Sequence, residues 1–158
     1  MSINIVEYQP KYRDDMLFCY LLAKDALGIY APQKYSKPTL KDDLLDIEGN
    51  YFVKGDTFFL AVDEDDRVVG MIGTKTVSSD EMWLKRLFVK PNLKGQGIGG
   101  RLLESVEIFA NGKNITTIYT RFASWYQEAA RFYPSKGFSE ISNTDEDMRY
   151  MVKKIKLA

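Results

Sequence analysis

Apolar residues recur along this chain at two spacings, every second position and every third or fourth, and the switches between them mark its elements. Residues 3–8 read as a first strand. Residues 11–27 set Met16, Leu17, Tyr20, Leu21 and Leu27 at helical spacing, and Gly28 is placed to end that helix. Residues 30–38 read as loop, after which Thr39 and Asp42 form a capping pair for a short acidic helix through Ile47. Residues 57–63 and 67–77 alternate as a hairpin turned at Glu64-Asp65-Asp66. A strand over 82–89 follows, Pro91 and Asn92 interrupt it, and residues 100–111 place Leu102, Leu103, Val106, Phe109 and Ala110 on one helical face. Asn111-Gly112 is a suitable stop for that helix. Residues 115–120 suit a buried strand, Ser124 with Gln127 reads as a capping box for a helix carrying Ala129, Ala130, Phe132 and Tyr133, and residues 139–142 and 148–155 read as two closing strands. At 158 residues, without repeat or linker, the chain is expected to form one domain, 1–158.

The most informative stretch is 84–103, where strand, glycine-rich turn and helix follow one another. Gly95, Gly97 and Gly99 alternate where the helix should begin, so the backbone can approach a ligand closely and the unpaired amides of the first turn can converge on it. An anion there also gains from the helix dipole, on the order of 0.3 to 1 kcal/mol. The charged residues of this stretch are Lys85, Arg86, Lys90, Lys94 and Arg101, with no Asp or Glu among them. The pattern predicts a polyphosphate seat. Gly95, Gly97 and Gly100 also satisfy the GxGxxG dinucleotide fingerprint, but the next strand ends in Thr120 and Arg121 rather than the ribose-binding carboxylate. A P-loop would need Gly-Lys-Ser/Thr, which Gly99-Gly100-Arg101 does not supply. A plain glycine-rich connection is the remaining reading, weakened by the entropic cost of three alternating glycines.

Val89-x-Pro91, then Lys94-Gly95-Gln96-Gly97-Ile98-Gly99 and Leu102-Leu103, resembles the acetyl-CoA-binding signature of the GNAT family of N-acetyltransferases. Ala129-Ala130-Arg131-Phe132-Tyr133, followed by Gly137-Phe138, is similar to that family's next segment. The likeness is clear over 57–140. It departs from the family at Lys94, where Arg or Gln is usual, at Tyr126, where the family often has Asn, and at Pro134 directly after Tyr133. The resemblance implies an α/β (α+β) domain with a mixed, mostly antiparallel sheet of six or seven strands, helices on both faces, and a CoA cleft where residues 82–89 and 115–120 splay apart. It implies acetyl-CoA as cosubstrate, no metal, and cofactor contacts from Leu87, Phe88, Val89, Lys94, Gly95, Gln96, Gly97, Ile98, Gly99 and Gly100.

The implied reaction is direct attack of a primary amine on the thioester through a tetrahedral intermediate. Backbone groups of Leu87, Phe88 and Val89 would pair with the pantetheine arm like an added strand, and an amide near Leu87 or Phe88 would meet the oxyanion. Tyr133 is the candidate acid for the departing thiolate, against the plainer reading of a ring packed in the core. Glu81, on the same strand face as Trp83, is the candidate base for the amine, against that of an ordinary surface carboxylate; Asp80 is weaker. Phe132 and Phe138 read as packing.

Composition excludes several chemistries. The chain has no histidine, so triads built on imidazole and imidazole metal sites drop out. Its single cysteine, Cys19, lies in an apolar helical pattern and reads as core; no internal disulfide can form. The formal charge of zero gives no overall attraction to nucleic acid. Apolar stretches fall far short of the ~18 residues of a membrane span, and the first residues lack a secretory signal pattern, so a cytoplasmic location is expected. The acceptor is expected to be a small-molecule amine, with a polyamine, an amino acid derivative, an amino sugar or a protein N-terminus as options. Tyr30, Tyr35, Tyr51 and Phe52 beside Asp42, Asp43, Asp46 and Glu48 would suit a cationic amine, although such an acidic run is also an ordinary solvated face. Asp145, Glu146 and Asp147 read as a charged turn. A homodimer is compatible with the sequence, and neither nucleic acid nor membrane is an expected partner. The alternatives are a CoA-binding sensory or regulatory module of the same fold without turnover, and a nucleotide-dependent enzyme of another class.

Overall fold

Seven strands form one sheet in the order β1-β2-β3-β4-β5-β7-β6. The computed structural model describes residues 2–28 and 42–156. The expected loop over 30–38, and Thr39 of the expected cap, lie outside the described residues. β1 (Asn4–Glu7), β2 (Phe58–Val62), β3 (Val68–Thr76) and β4 (Glu81–Val89) pair antiparallel in that order. β5 (Thr117–Ala123) lies parallel to β4, while β7 (Met148–Lys154) pairs antiparallel with both β5 and β6 (Ser139–Ile141). The mixed, mostly antiparallel sheet expected from the sequence is therefore present.

Apolar clusters cover both faces of the sheet. Along β2, Phe58, Leu60 and Val62 point to one cluster and Ala61 to the other, as a period of two requires. The first face is covered by α1 (Arg13–Gly28) and by α2 (Asp42–Leu45) with the π-helical turn Glu48–Phe52 behind it. Cys19 and Tyr20 are fully buried there, and burial pushes the Cys19 thiol up to about 12, consistent with a packing role. The second face is covered by α3 (Ile98–Gly112) and α4 (Gln127–Ser135). Among the described residues no helix is long and apolar enough to cross a membrane.

Two local expectations are corrected. α3 begins at Ile98, two residues ahead of the apolar periodicity, because Gly97 takes a left-handed N-cap conformation with φ 79°. It ends at Gly112, the expected stop, and beyond it Asn114, with φ of 62°, donates its N–H to the Asn111 carbonyl while the Ile115 N–H bonds back to Ala110. The capping box at Ser124 does not form. The N-cap of α4 is Tyr126, without a side-chain cap, and the Ser124 N–H donates to the Asp147 carbonyl in the adjacent loop.

Candidate active site

β4 and β5 pair only at Glu81–Thr117, Met82–Ile118 and Trp83–Tyr119. Past Trp83 each strand keeps its outer partner, β3 or β7, but the two inner edges separate. This is the expected splay. Two cavities of about 520 and 450 Å³ open along it, and Leu87, Phe88, Tyr126 and Tyr133 line both.

The larger cavity is the glycine-loop side. Gly95 and Gly97 hold φ of 83° and 79°, values that only glycine adopts without strain, and a Cβ at either would meet nothing within 4 Å. Among the described residues, no backbone carbonyl accepts from the N–H groups of residues 95–100. Six consecutive amides at a helix N-terminus are thus available to an anion. Gly70 lets the start of α3 sit this low, since a Cβ there would lie 3.1 Å from Leu102 and 3.3 Å from Ile98. Lys94, Arg131 and Lys136 add positive charge to the same cavity. The Lys94 ammonium lies 2.6 Å from Glu128 and 3.4 Å from the Tyr126 hydroxyl. Burial lowers its pKa, but these two partners outweigh burial and hold it above the usual lysine value.

The wall opposite the loop contains a β-bulge. Met71 pairs with Phe88 and Gly73 with Lys85, so Ile72 faces Arg86 and Leu87 together. Arg86 takes φ 58°, a left-handed conformation that costs a non-glycine residue about 1 to 2 kcal/mol. A forked pair opposes that cost. Arg86 Nε and Nη2 donate to Asp43 at 3.0 and 2.7 Å, and the Tyr51 hydroxyl donates to the same carboxylate at 2.6 Å. Burial pushes the Asp43 pKa up, yet the Arg86 and Tyr51 hydrogen bonds outweigh it and hold the carboxyl below its ordinary value. Burial and Asp43 together push the Tyr51 hydroxyl well up. Asp43 and Tyr51, expected to wall an acceptor site, instead clamp the bulge, and neither lines the cleft.

Tyr133 stands at the junction of the two cavities with its ring stacked on Phe122 at 5.6 Å. Pro134 does not displace it, since Tyr133 remains helical. The turn after it explains the spacing to Gly137-Phe138. Gly137 adopts φ 93°, its N–H reaches the Pro134 carbonyl, and the Phe138 N–H returns to the carbonyl of Tyr133 itself. The Phe138 ring packs on the Tyr133 ring at 5.3 Å, closing the cap with an apolar contact. Burial pushes the Tyr133 hydroxyl up to about 12, with Thr120 partly opposing the shift.

Of the other sequence-predicted residues, Leu87, Phe88, Val89, Lys94, Gly95, Gly97, Ile98, Gly99 and Gly100 line the larger cavity. Gln96 belongs to the same loop but not to the lining, and its side chain is exposed. Glu81 is not brought to the cleft. It sits at the closed end of the β4–β5 pair, six residues or roughly 20 Å of strand before Leu87. Its carboxylate accepts from Tyr119 at 2.7 Å and Ser78 at 3.0 Å, which lowers its pKa. Sequence reasoning missed Lys85, Arg121, Trp83 and Trp125, which line the smaller cavity. They come from three segments, and only the splay unites them.

Residues 54–140 match the family model described as "Acetyltransferase (GNAT) domain". A probable N-acetyltransferase camello from Xenopus laevis is 30% identical over 123 residues, which cover 76% of this chain and 56% of that protein. The chain thus spans about half the length of that relative. An acetyltransferase of the GNAT family from Staphylococcus aureus Mu50 superposes with a TM-score of 0.86 at 27% identity, covering 98% of this chain and all of the other. The PaiA N-acetyltransferase from Thermoplasma acidophilum, solved in complex with coenzyme A, superposes with a TM-score of 0.79 at 25% identity, covering 98% and 100%.

Proposed function

Because the chain belongs to the GNAT acetyltransferase family, we propose that it transfers the acetyl group of acetyl-CoA to the primary amine of a small molecule. The observation that carries this reading is the row of six amides, residues 95–100, to which no backbone carbonyl among the described residues is bonded, beside the splayed edges of β4 and β5. That seat fits a diphosphate, and Lys94, Arg131 and Lys136 fit the remaining phosphate charge of the coenzyme. The thioester supplies the acyl group and a leaving thiol.

Three demands of the transfer find candidate groups in the cleft. The unpaired edge at Leu87, Phe88 and Val89 offers main-chain partners to an amide-bearing arm laid along it, which brings the reacting carbonyl to a fixed place. The bulge re-aims the backbone at Arg86-Leu87, so an N–H of Leu87 or Phe88 can meet the carbonyl oxygen as negative charge gathers there. Tyr133 donates a hydrogen bond to the departing sulfur. Burial holds the Tyr133 hydroxyl above the ordinary tyrosine value, so it keeps its proton more firmly than a thiol does. The proton that ends on sulfur therefore comes from the nitrogen as the new C–N bond forms and the C–S bond breaks, while Tyr133 steadies the charge. Glu81 has no part in this scheme, and the amine reaches its neutral form through water.

Thermal unfolding with CoA, NAD and ATP tests the reading, since a true ligand at a hundred times its dissociation constant adds about 2.7 kcal/mol of stability. Protection by CoA, followed by thiol release with an amine panel, is the expected result. Protection by NAD or ATP without CoA overturns it. CoA binding with no turnover for any amine converts it to a sensory module.

A further inference from the structure

The smaller cavity carries charge that acetyl-CoA does not explain. Lys24, Lys85, Arg86 and Arg121 line it against Asp145 and Asp147. Arg86 is neutralised by Asp43. Among the described residues, Lys85 and Arg121 have no carboxylate within ion-pair distance. Lys85 is half-buried on β4, and the exposed Arg121 lies across the splay on β5, lining the same cavity. Burial, Arg86, Arg121 and Lys75 all press Lys85 toward losing its proton, with Asp43 opposing. Lys85 thus sits half-buried beside other cations with no carboxylate in an ion pair with it among the described residues, an arrangement that an added anion would relieve.

The acceptor can supply that anion. The phosphates of the coenzyme are provided for at the glycine loop, where the larger cavity has its own amides and its own Lys94, Arg131 and Lys136. Asp145 and Asp147 sit in the exposed turn before β7, where the Asp145 carboxylate already accepts the Asp147 N–H at 2.9 Å. Trp83 and Trp125 complete the lining, and Trp83 is held edge and face by Tyr150 at 6.1 Å and Tyr119 at 5.2 Å. Resting on the acetyl-transfer reading, we propose that the acceptor is a primary amine carrying an acidic group, carboxylate or phosphonate, on an apolar or aromatic body. The acidic group lies between Lys85 and Arg121, and the body packs against the two indoles. Among the acceptor options read from the sequence, this favours an amino acid derivative over a polyamine.

Matched amines test it: phenylalanine, its phosphonate analogue, phenethylamine without an acid, and spermidine as a polycation, each assayed by thiol release with acetyl-CoA. Coenzyme affinity is measured in parallel by calorimetry. The acid-bearing amines should exceed phenethylamine in kcat/KM by roughly ten- to a hundredfold, the worth of a charged hydrogen bond, and mainly through KM. Their order identifies the acid. Lys85→Met and Arg121→Gln should each shrink that ratio, and Lys85→Glu should invert it. Phenethylamine or spermidine turning over as well as the acid-bearing amines overturns the inference, as does a ratio that survives both substitutions or an inert acid-bearing set in coenzyme-bound protein. Failure to bind CoA at all instead removes the acetyl-transfer reading, and this inference with it.

Discussion

The two halves of the cleft are built from different materials. The coenzyme half is main chain, with six amides, two left-handed glycines and a strand edge. The half proposed for the acceptor is side chain, with Lys85, Arg121 and two tryptophans projected from strands and a loop that are distant in sequence. A main-chain site needs only the backbone to take one course, so most side chains around it are free to vary. A side-chain site changes with every substitution. The same fold can therefore hold one cofactor constant while its second substrate differs from protein to protein.

The largest effect expected from that contrast is at Gly97. Gly97→Glu should abolish measurable CoA binding by calorimetry, because it sets a like charge in the phosphate seat and forces φ 79° on a side chain. A Cβ there meets no protein atom within 4 Å, so the fold should survive. Retained affinity would take the loop out of the account. Tyr133→Phe comes next, with kcat down by about 10²-fold and CoA affinity kept, since the phenyl still packs on Phe122 and Phe138. An unchanged kcat would return Tyr133 to the core.

Asp43→Asn should cost less, about tenfold in kcat, by loosening Arg86 and with it the bulge. Its acid sensitivity has a definite sign. The native carboxyl is held below its unfolded value, so the Asp43 contribution to stability is full above the unfolded pKa and fades as pH falls through the native one. Asp43→Asn should remove that part of the acid dependence in unfolding curves. On the acceptor side, Lys85 holds an anion only while protonated, and its pKa lies below the ordinary 10.5. KM for an acid-bearing amine should stay flat at lower pH and rise as pH passes up through that value, and Lys85→Arg should keep it flat. The smallest effect belongs to Ser124→Ala, within about 0.5 kcal/mol in denaturant unfolding, because Ser124 caps nothing.

The same contrast decides what the sequence reveals. Gly95, Gly97, the break at Pro91-Asn92 and the Tyr133-to-Gly137 spacing are local signals, and local geometry realises them. The hairpin at residues 64–66 and both closing strands are legible for that reason too. The misplaced cap at Ser124 shows the limit of local reading, because a loop carbonyl from Asp147 takes the Ser124 N–H. Arg86 carries no mark of its left-handed backbone; the conformation follows from a bulge opposite Ile72 and an anchor 43 residues earlier. Lys85 and Arg121 become neighbours only through the parallel pairing of β4 with β5. Glu81 misleads because strand-face periodicity gives the side but not the position along the cleft.

The Arg86–Asp43 clamp also bears on how separable the parts of this chain are. Asp43 precedes the 54–140 region that matches the family, yet it holds Arg86 in the bulge that the proposed mechanism sets beside the acyl carbonyl. Grafting the matched region onto a foreign N-terminal segment would carry over the coenzyme seat and release the bulge. Such a chimera should grip its coenzyme and work slowly, so that the segment ahead of residue 54 would set the rate without touching the coenzyme seat.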